Sequence, residues 1–281
     1  MNSIKRSRLW AVAILVAAAV SQAQNFQSPV DFNPRVLLKD PKLPQLKVIL
    51  TNSTILKVKN TWDPNDTSVD GTPMPREYCS IKAYMTDTNA GLVILEPTTY
   101  ELQEFHFHWP SEHTVSGQHT RMEVHFVFAD RSKVPGEANS LLVVGAWIEE
   151  GKRDNSEFAK IFSMLPLPAT YQMVTNFNLS RVFPQTKSTF RYPGSLTAPA
   201  SLPPYTASLK EQIDSDIFPA IVSWFVSDQP LKLSDSQIQA FEALFPDHLS
   251  RLVVSTTDDR FDALVRFFHA RMRAGARRGT L

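Results

Sequence analysis

The chain has 281 residues, 29 basic and 28 acidic, for a formal net charge of +1. So even a balance leaves no electrostatic footprint for nucleic acid, and a single cysteine excludes any disulfide within the chain. Twenty prolines against nine glycines, with eighteen phenylalanines, point away from a helical bundle and towards a loop-rich β protein with a sizeable core.

Residues 1–23 read as a signal peptide. Lys5, Arg6 and Arg8 form a basic head, Leu9 to Val20 is an apolar run of twelve, and Ser21-Gln22-Ala23 supplies small residues at a cleavage point. Twelve apolar residues fall short of the ~20 that a membrane span needs, so no span is expected. The expectation is a secreted protein, extracellular or, in a bacterium, periplasmic. A single domain over 24–281 follows, because no repeat or low-complexity linker interrupts it. Its end, about 270–281, is a basic tail carrying Arg271, Arg273, Arg277 and Arg278.

Runs rich in β-branched and aromatic residues, separated by Pro, Asn, Asp and Gly clusters, predict strands along most of the chain. They fall at Val48–Leu50, Ile55–Val58, Tyr78–Met85, Leu92–Leu95, Tyr100–Trp109, Met122–Phe128, Leu141–Ile148, Ile221–Val226 and Leu252–Ser255. Cys79 lies in one of these runs and reads as a buried, inert thiol. Helical signals are fewer. A short helix is expected around Ser156–Ser163. Ser234-x-x-Gln237 reads as a capping box, followed by Ile238, Phe241, Leu244 and Phe245 on one helical face. Phe261, Leu264, Val265 and Phe268 repeat that spacing near the end. The predicted fold is mainly β (an α+β roll): one domain with a large, mostly antiparallel twisted sheet and short peripheral helices.

The stretch FHFHWPSEH, residues 105–113, holds three histidines in nine positions. On a strand, Glu104, His106 and His108 share one face while Phe105 and Phe107 point to the other. The next strand carries Glu123 and His125 in the same alternation. An H-x-H pair also arises as ordinary packing, so the pair alone leaves both readings open. If the two strands pair, His125 adds a third ring, and three neutral nitrogens with one open position are the donor set of a catalytic zinc site. Glu104 and Glu123, each two residues before a histidine, suit acceptors that orient the rings.

These residues sit in blocks that resemble the α-class carbonic anhydrases: FHFHWPSEHTVSG (105–117), MEVHFV (122–127), LLVVGAW (141–147) and YPGSLTAP (192–199), in the family's order. The resemblance implies Zn2+ held by His106, His108 and His125, and reversible hydration of CO2 to bicarbonate and a proton by attack of zinc-bound hydroxide. It implies that Thr197 accepts a hydrogen bond from that hydroxide and donates to Glu112. Val127, Val143, Leu196 and Trp224 would form the apolar wall that receives CO2, and His113 would hold the supporting network without binding metal. Thr54, in Asn52-Ser53-Thr54, would stand where the family's proton-shuttle histidine follows Asn-Gly, so turnover is expected to depend on external buffer. Glu104 stands where many members carry Gln or Asn. Two stretches, 60–97 and 198–220, are longer than usual. The rival reading is a carbonic-anhydrase-like binding protein that has lost catalysis; retention of all three histidines with Thr197 and Glu112 argues against it.

Overall fold

Strands whose side chains are apolar at every position need a core on each face, and the long runs of this chain have one. The computed structural model describes residues 27–245 except 36, 38–39, 64–73, 186–187 and 201–206, together with 254–255. The leader-like segment 1–23, the basic stretch 270–281 and the helical pattern from Phe261 to Phe268 lie outside the described residues.

The strands are β1 (Val30–Phe32), β2 (Lys47–Leu50), β3 (Thr54–Asn60), β4 (Ile81–Met85), β5 (Gly91–Leu95), β6 (Thr98–His108), β7 (Thr114–Val115), β8 (Met122–Asp130), β9 (Leu141–Gly151), β10 (Tyr171–Phe177), β11 (Thr189–Gly194), β12 (Val222–Ser234) and β13 (Val254–Ser255). Ten of them form one sheet in the order β10-β3-β4-β6-β8-β9-β12-β11, with β5 pairing β6 and β2 pairing β5. Every pairing in it is antiparallel except β9 with β12. A small parallel sheet, β13-β1-β7, flanks it. The expected mainly β architecture is met.

Burial divides β9 in two. Leu142, Val144, Ala146 and Ile148 enter the main core with Phe105, Phe107, Val124, Phe126 and Phe225, whereas Val143 and Trp147 enter a second cluster with Phe32, Tyr192, Trp224 and Val226. The main core is closed by helices α1 (Ala159–Phe162) and α3 (Asp235–Leu244), through Ile161, Phe162, Ile238 and Phe241. The α3 capping box is present: Ser234 Oγ accepts from the Gln237 N–H at 3.3 Å, and Gln237 Oε1 accepts from the Ser234 N–H at 3.2 Å.

Several boundaries differ from expectation. Arg76–Tyr78 form a 3-10 turn, so the strand predicted from Tyr78 begins at Ile81. β12 runs thirteen residues, through an irregularity between Ser227 and Leu231. β10 and β11 were not predicted. β10 is an edge strand with only Val174 and Phe177 buried, and therefore lacks the alternation that marks a strand. The unpredicted helix α2 (Leu209–Ser215), in the longer 198–220 stretch, has its own capping box from Ser208 and Glu211. That S-x-x-E signal was legible. β6 carries a bulge between Leu102 and Glu104. Without it, Tyr100 and Leu102 would share a face with the histidines; with it, they join Phe105 and Phe107 in the core.

Cys79 is buried, 2 % exposed, and desolvation pushes its thiol up to about 11. Only the thiolate is nucleophilic, and at pH 8 it is roughly one part in a thousand of such a thiol. Iodoacetamide at pH 8 is expected to leave the native protein unmodified and to alkylate Cys79 once urea unfolds it; equal rates in both states would contradict this burial.

Candidate metal centre

Ladder register builds the site. In the β6–β8 pairing His106 lies directly opposite His125, and His108 opposite Glu123. Alternation turns all four side chains to the face opposite Phe105 and Phe107. Ring centroids are 4.6 Å apart for His108–His125, 4.9 Å for His106–His108 and 5.3 Å for His106–His125. One ring nitrogen from each lies within 4.8 Å of the others. The expected trio is therefore brought together.

Carboxylates orient two of the rings. Both Glu104 oxygens lie 2.9 Å from His106 Nδ1. An ionised carboxylate only accepts, so Nδ1 carries the proton and Nε2 keeps a lone pair for a cation. Glu123 Oε1 lies 2.9 Å from His125 Nε2, which leaves Nδ1 as that ring's donor atom. Glu112, 4 % exposed, stands 3.4 Å from His108 Nδ1 and 3.8 Å from His125 Nδ1.

Glu123 has no exposure at all. Its Oε2 accepts the His113 backbone N–H at 2.8 Å, and its Oε1 also accepts from His113 Nδ1 at 2.7 Å. Burial opposes its ionisation, but His113 and His125 outweigh burial and hold the carboxyl far below the usual range. His113 Nε2 meets the Tyr192 hydroxyl at 2.5 Å, and that hydroxyl donates to Ser28 Oγ at 3.1 Å. Ser28 Oγ accepts the Ser195 N–H at 3.1 Å, and the Ser195 carbonyl accepts from Trp224 Nε1 at 3.0 Å. His113 thus stands behind the cluster. The links from His113 to Tyr192, Tyr192 to Ser28 and Ser28 to Ser195 span 79 or more residues each and leave no local pattern in the sequence.

The next ladder row supplies an apolar wall. Glu104 pairs with Val127, Val127 with Val143, Val143 with Trp224, and Trp224 with Tyr192. Val127, Val143, Leu196 and Trp224 all belong to the second cluster, and the Trp224 ring lies 4.8 Å from that of His125. Thr197, 7 % exposed, follows Leu196 directly. Among the described residues no hydrogen bond joins its hydroxyl to Glu112.

Thr54 falls elsewhere. The strand beside β6 is β4; β3 lies one strand further out, and Thr54 opens it. Its side chain is buried with Leu56 and Val58, on the face opposite the histidines, and its Oγ1 donates to Asp87 Oδ2 at 2.7 Å. The histidine face of β3 presents Ile55, Lys57 and Lys59 instead. The short Asn-Ser-Thr match opens β3, whereas β4, the strand that pairs with the ligand strand, begins only at Ile81, inside the longer 60–97 stretch.

The eukaryotic-type carbonic anhydrase family matches residues 10–204. The chain belongs to that family. A carbonic anhydrase of Klebsiella pneumoniae is 35 % identical over 122 residues, covering 43 % of this chain and 47 % of that protein. Human carbonic anhydrase 12 is 32 % identical over 168 residues, covering 53 % of this chain and 42 % of its own length. The chain thus spans less than half the length of either relative. Among solved structures, the α-carbonic anhydrase of Thermovibrio ammonificans, in complex with the inhibitor sulfanilamide, superposes with a TM-score of 0.62 at 26 % identity, covering 82 % of this chain and 83 % of that one.

Gly145 faces His125 across the β8–β9 ladder, within LLVVGAW. A Cβ there would stand 3.0 Å from Glu123 Oε1 and 3.4 Å from Val226 Cγ2. A glycine inside an apolar strand signals such a close approach. Gly145→Ala is expected to displace the Glu123 carboxylate and destabilise the protein by about 1–3 kcal/mol. Urea denaturation checks this; an unchanged midpoint would show that the carboxylate has room to move.

Proposed function

We propose that the protein catalyses the reversible hydration of CO2 to bicarbonate and a proton, with zinc as its metal. The observation that carries this reading is the convergence of His106, His108 and His125, two of them oriented by buried carboxylates. The donor set fits zinc, as three imidazoles with one position left for solvent. Burial, against the opposing pull of Glu123, lowers the pKa of His125 to about 4, so the ring is neutral at pH 7 as a metal ligand must be. Bound zinc would bring the pKa of water to roughly 7, a general property of carbonic anhydrases, and so supply a nucleophile at neutral pH.

The chain's own groups do the rest. Val127, Val143, Leu196 and Trp224 exclude water and offer CO2 an apolar seat beside the cluster. The resemblance gives Thr197 the part of accepting a hydrogen bond from the attacking solvent and Glu112 the part of accepting the Thr197 proton; with solvent bound, the Thr197 hydroxyl would have to turn to Glu112, a contact this structure does not form. Glu104 and Glu123 hold the rings in their tautomers. Secretion belongs to this reading too, on the order of basic, apolar and small residues over 1–23.

Proton export is assigned to external buffer. Outside the cluster, the described imidazoles are His113, bonded to Glu123 and Tyr192, and His119, whose Nδ1 donates to the Ser111 carbonyl at 2.6 Å. Hydration rate is expected to rise with buffer concentration and to plateau; a rate indifferent to buffer would require an internal relay.

Purified protein is expected to hold zinc and to show CO2 hydration inhibited by sulfanilamide. His108→Ala is expected to lose the metal and the activity together. Metal analysis with stopped-flow hydration checks both. Equal zinc in wild type and variant would refute the ligand assignment, and zinc without hydration would favour the binding-protein reading.

A further inference from the structure

The flank of the cluster away from the apolar wall is basic. Lys82 stands directly opposite His106 in the β4–β6 ladder, and Lys59 directly opposite Lys82 in the β3–β4 ladder. Lys57 shares that face one row along, where its ammonium lies 4.4 Å from the centre of the Tyr171 ring. Among the described residues neither Lys57 nor Lys59 forms an ion pair. Like charges opposite one another repel, and ammonium groups beside a cation site oppose cation binding.

The anion that meets this row is Glu104. Its Oε1 lies 3.8 Å from Lys82 Nζ, while both its oxygens lie 2.9 Å from His106 Nδ1. A neutral amide would accept from His106 equally well, but it would leave Lys82 uncompensated.

We propose that Lys82 and Glu104 act as one compensated pair, in which the carboxylate both orients His106 and cancels the ammonium that Lys82 brings to the cluster. Glu104 is then the positioning residue and Lys82 the charge it offsets, and the inference rests on the reading of the three histidines as a zinc site. The pair replaces a single neutral acceptor by two opposite charges. Changing either member alone therefore leaves a net charge beside the metal, and changing both does not.

The test is a double-mutant cycle on the full chain, with zinc affinity measured by chelator competition and the cobalt-substituted spectrum as a second readout. Glu104→Gln keeps the acceptor but strands the ammonium, and is expected to weaken zinc binding by roughly 10–100-fold. Lys82→Met alone is expected to leave affinity unchanged or tighter. The double variant is expected to regain most of the loss, returning to within about fivefold of wild type with a wild-type cobalt spectrum. Lys82→Arg is expected to behave as wild type. Melting of the metal-free forms controls for damage to the fold; Lys82 is 27 % exposed, so Lys82→Met should melt with wild type. A double variant no tighter than Glu104→Gln, or a Lys82→Met that loosens zinc tenfold, would overturn the pairing while leaving the metal reading intact. A wild-type protein that binds no zinc would overturn both.

Discussion

A carboxylate with no exposure to water is among the costliest groups a fold can carry, and Glu123 is such a group. It is sustained by two hydrogen bonds from His113, through its backbone N–H and its Nδ1, and by His125 Nε2 at 2.9 Å. Those bonds tie β8 to the 109–117 segment and set the direction of the His125 ring. From His113 the connection passes through Tyr192 to Ser28, which joins the start of the described chain to the segment after β11. The geometry of the histidine cluster therefore depends on strands far apart in sequence, and one buried charge holds them in register.

The large sheet separates two tasks by face. Its core face is aromatic, with Phe105, Phe107, Phe126 and Phe225 under α1 and α3. The opposite face is divided along the ladder rows. On one side of the histidines lie Val127, Val143 and Trp224, apolar, with Val143 and Trp224 buried; on the other lie Lys82, Lys59 and Tyr171, half-buried to exposed. The two flanks of the same three rings thus differ in polarity and charge. The bulge between Leu102 and Glu104 makes this division possible, because it lets one strand bury Tyr100 and Leu102 on the core face and still turn its histidines the other way.

What the chain determines locally was readable. The period of two puts His106 and His108 on one face of their strand, and Glu123 and His125 on one face of theirs, because alternation is a property of the extended backbone. The S-x-x-Q and S-x-x-E signals mark α3 and α2, because capping satisfies N–H groups within three residues of the serine. The all-apolar LLVVGAW announces a strand buried on both faces.

Only the tertiary structure decided which strands become neighbours. The position of β4 between β3 and β6 removes Thr54 from the centre and puts Lys82 beside His106. The meeting of Glu123 with His113, of His113 with Tyr192 and Trp224, and of Tyr192 with Ser28 depends on packing between segments up to 164 residues apart in sequence. Side-chain direction along a strand follows from the residues next in sequence; the partner across the ladder follows from the closure of the whole sheet, and no short window of residues contains it.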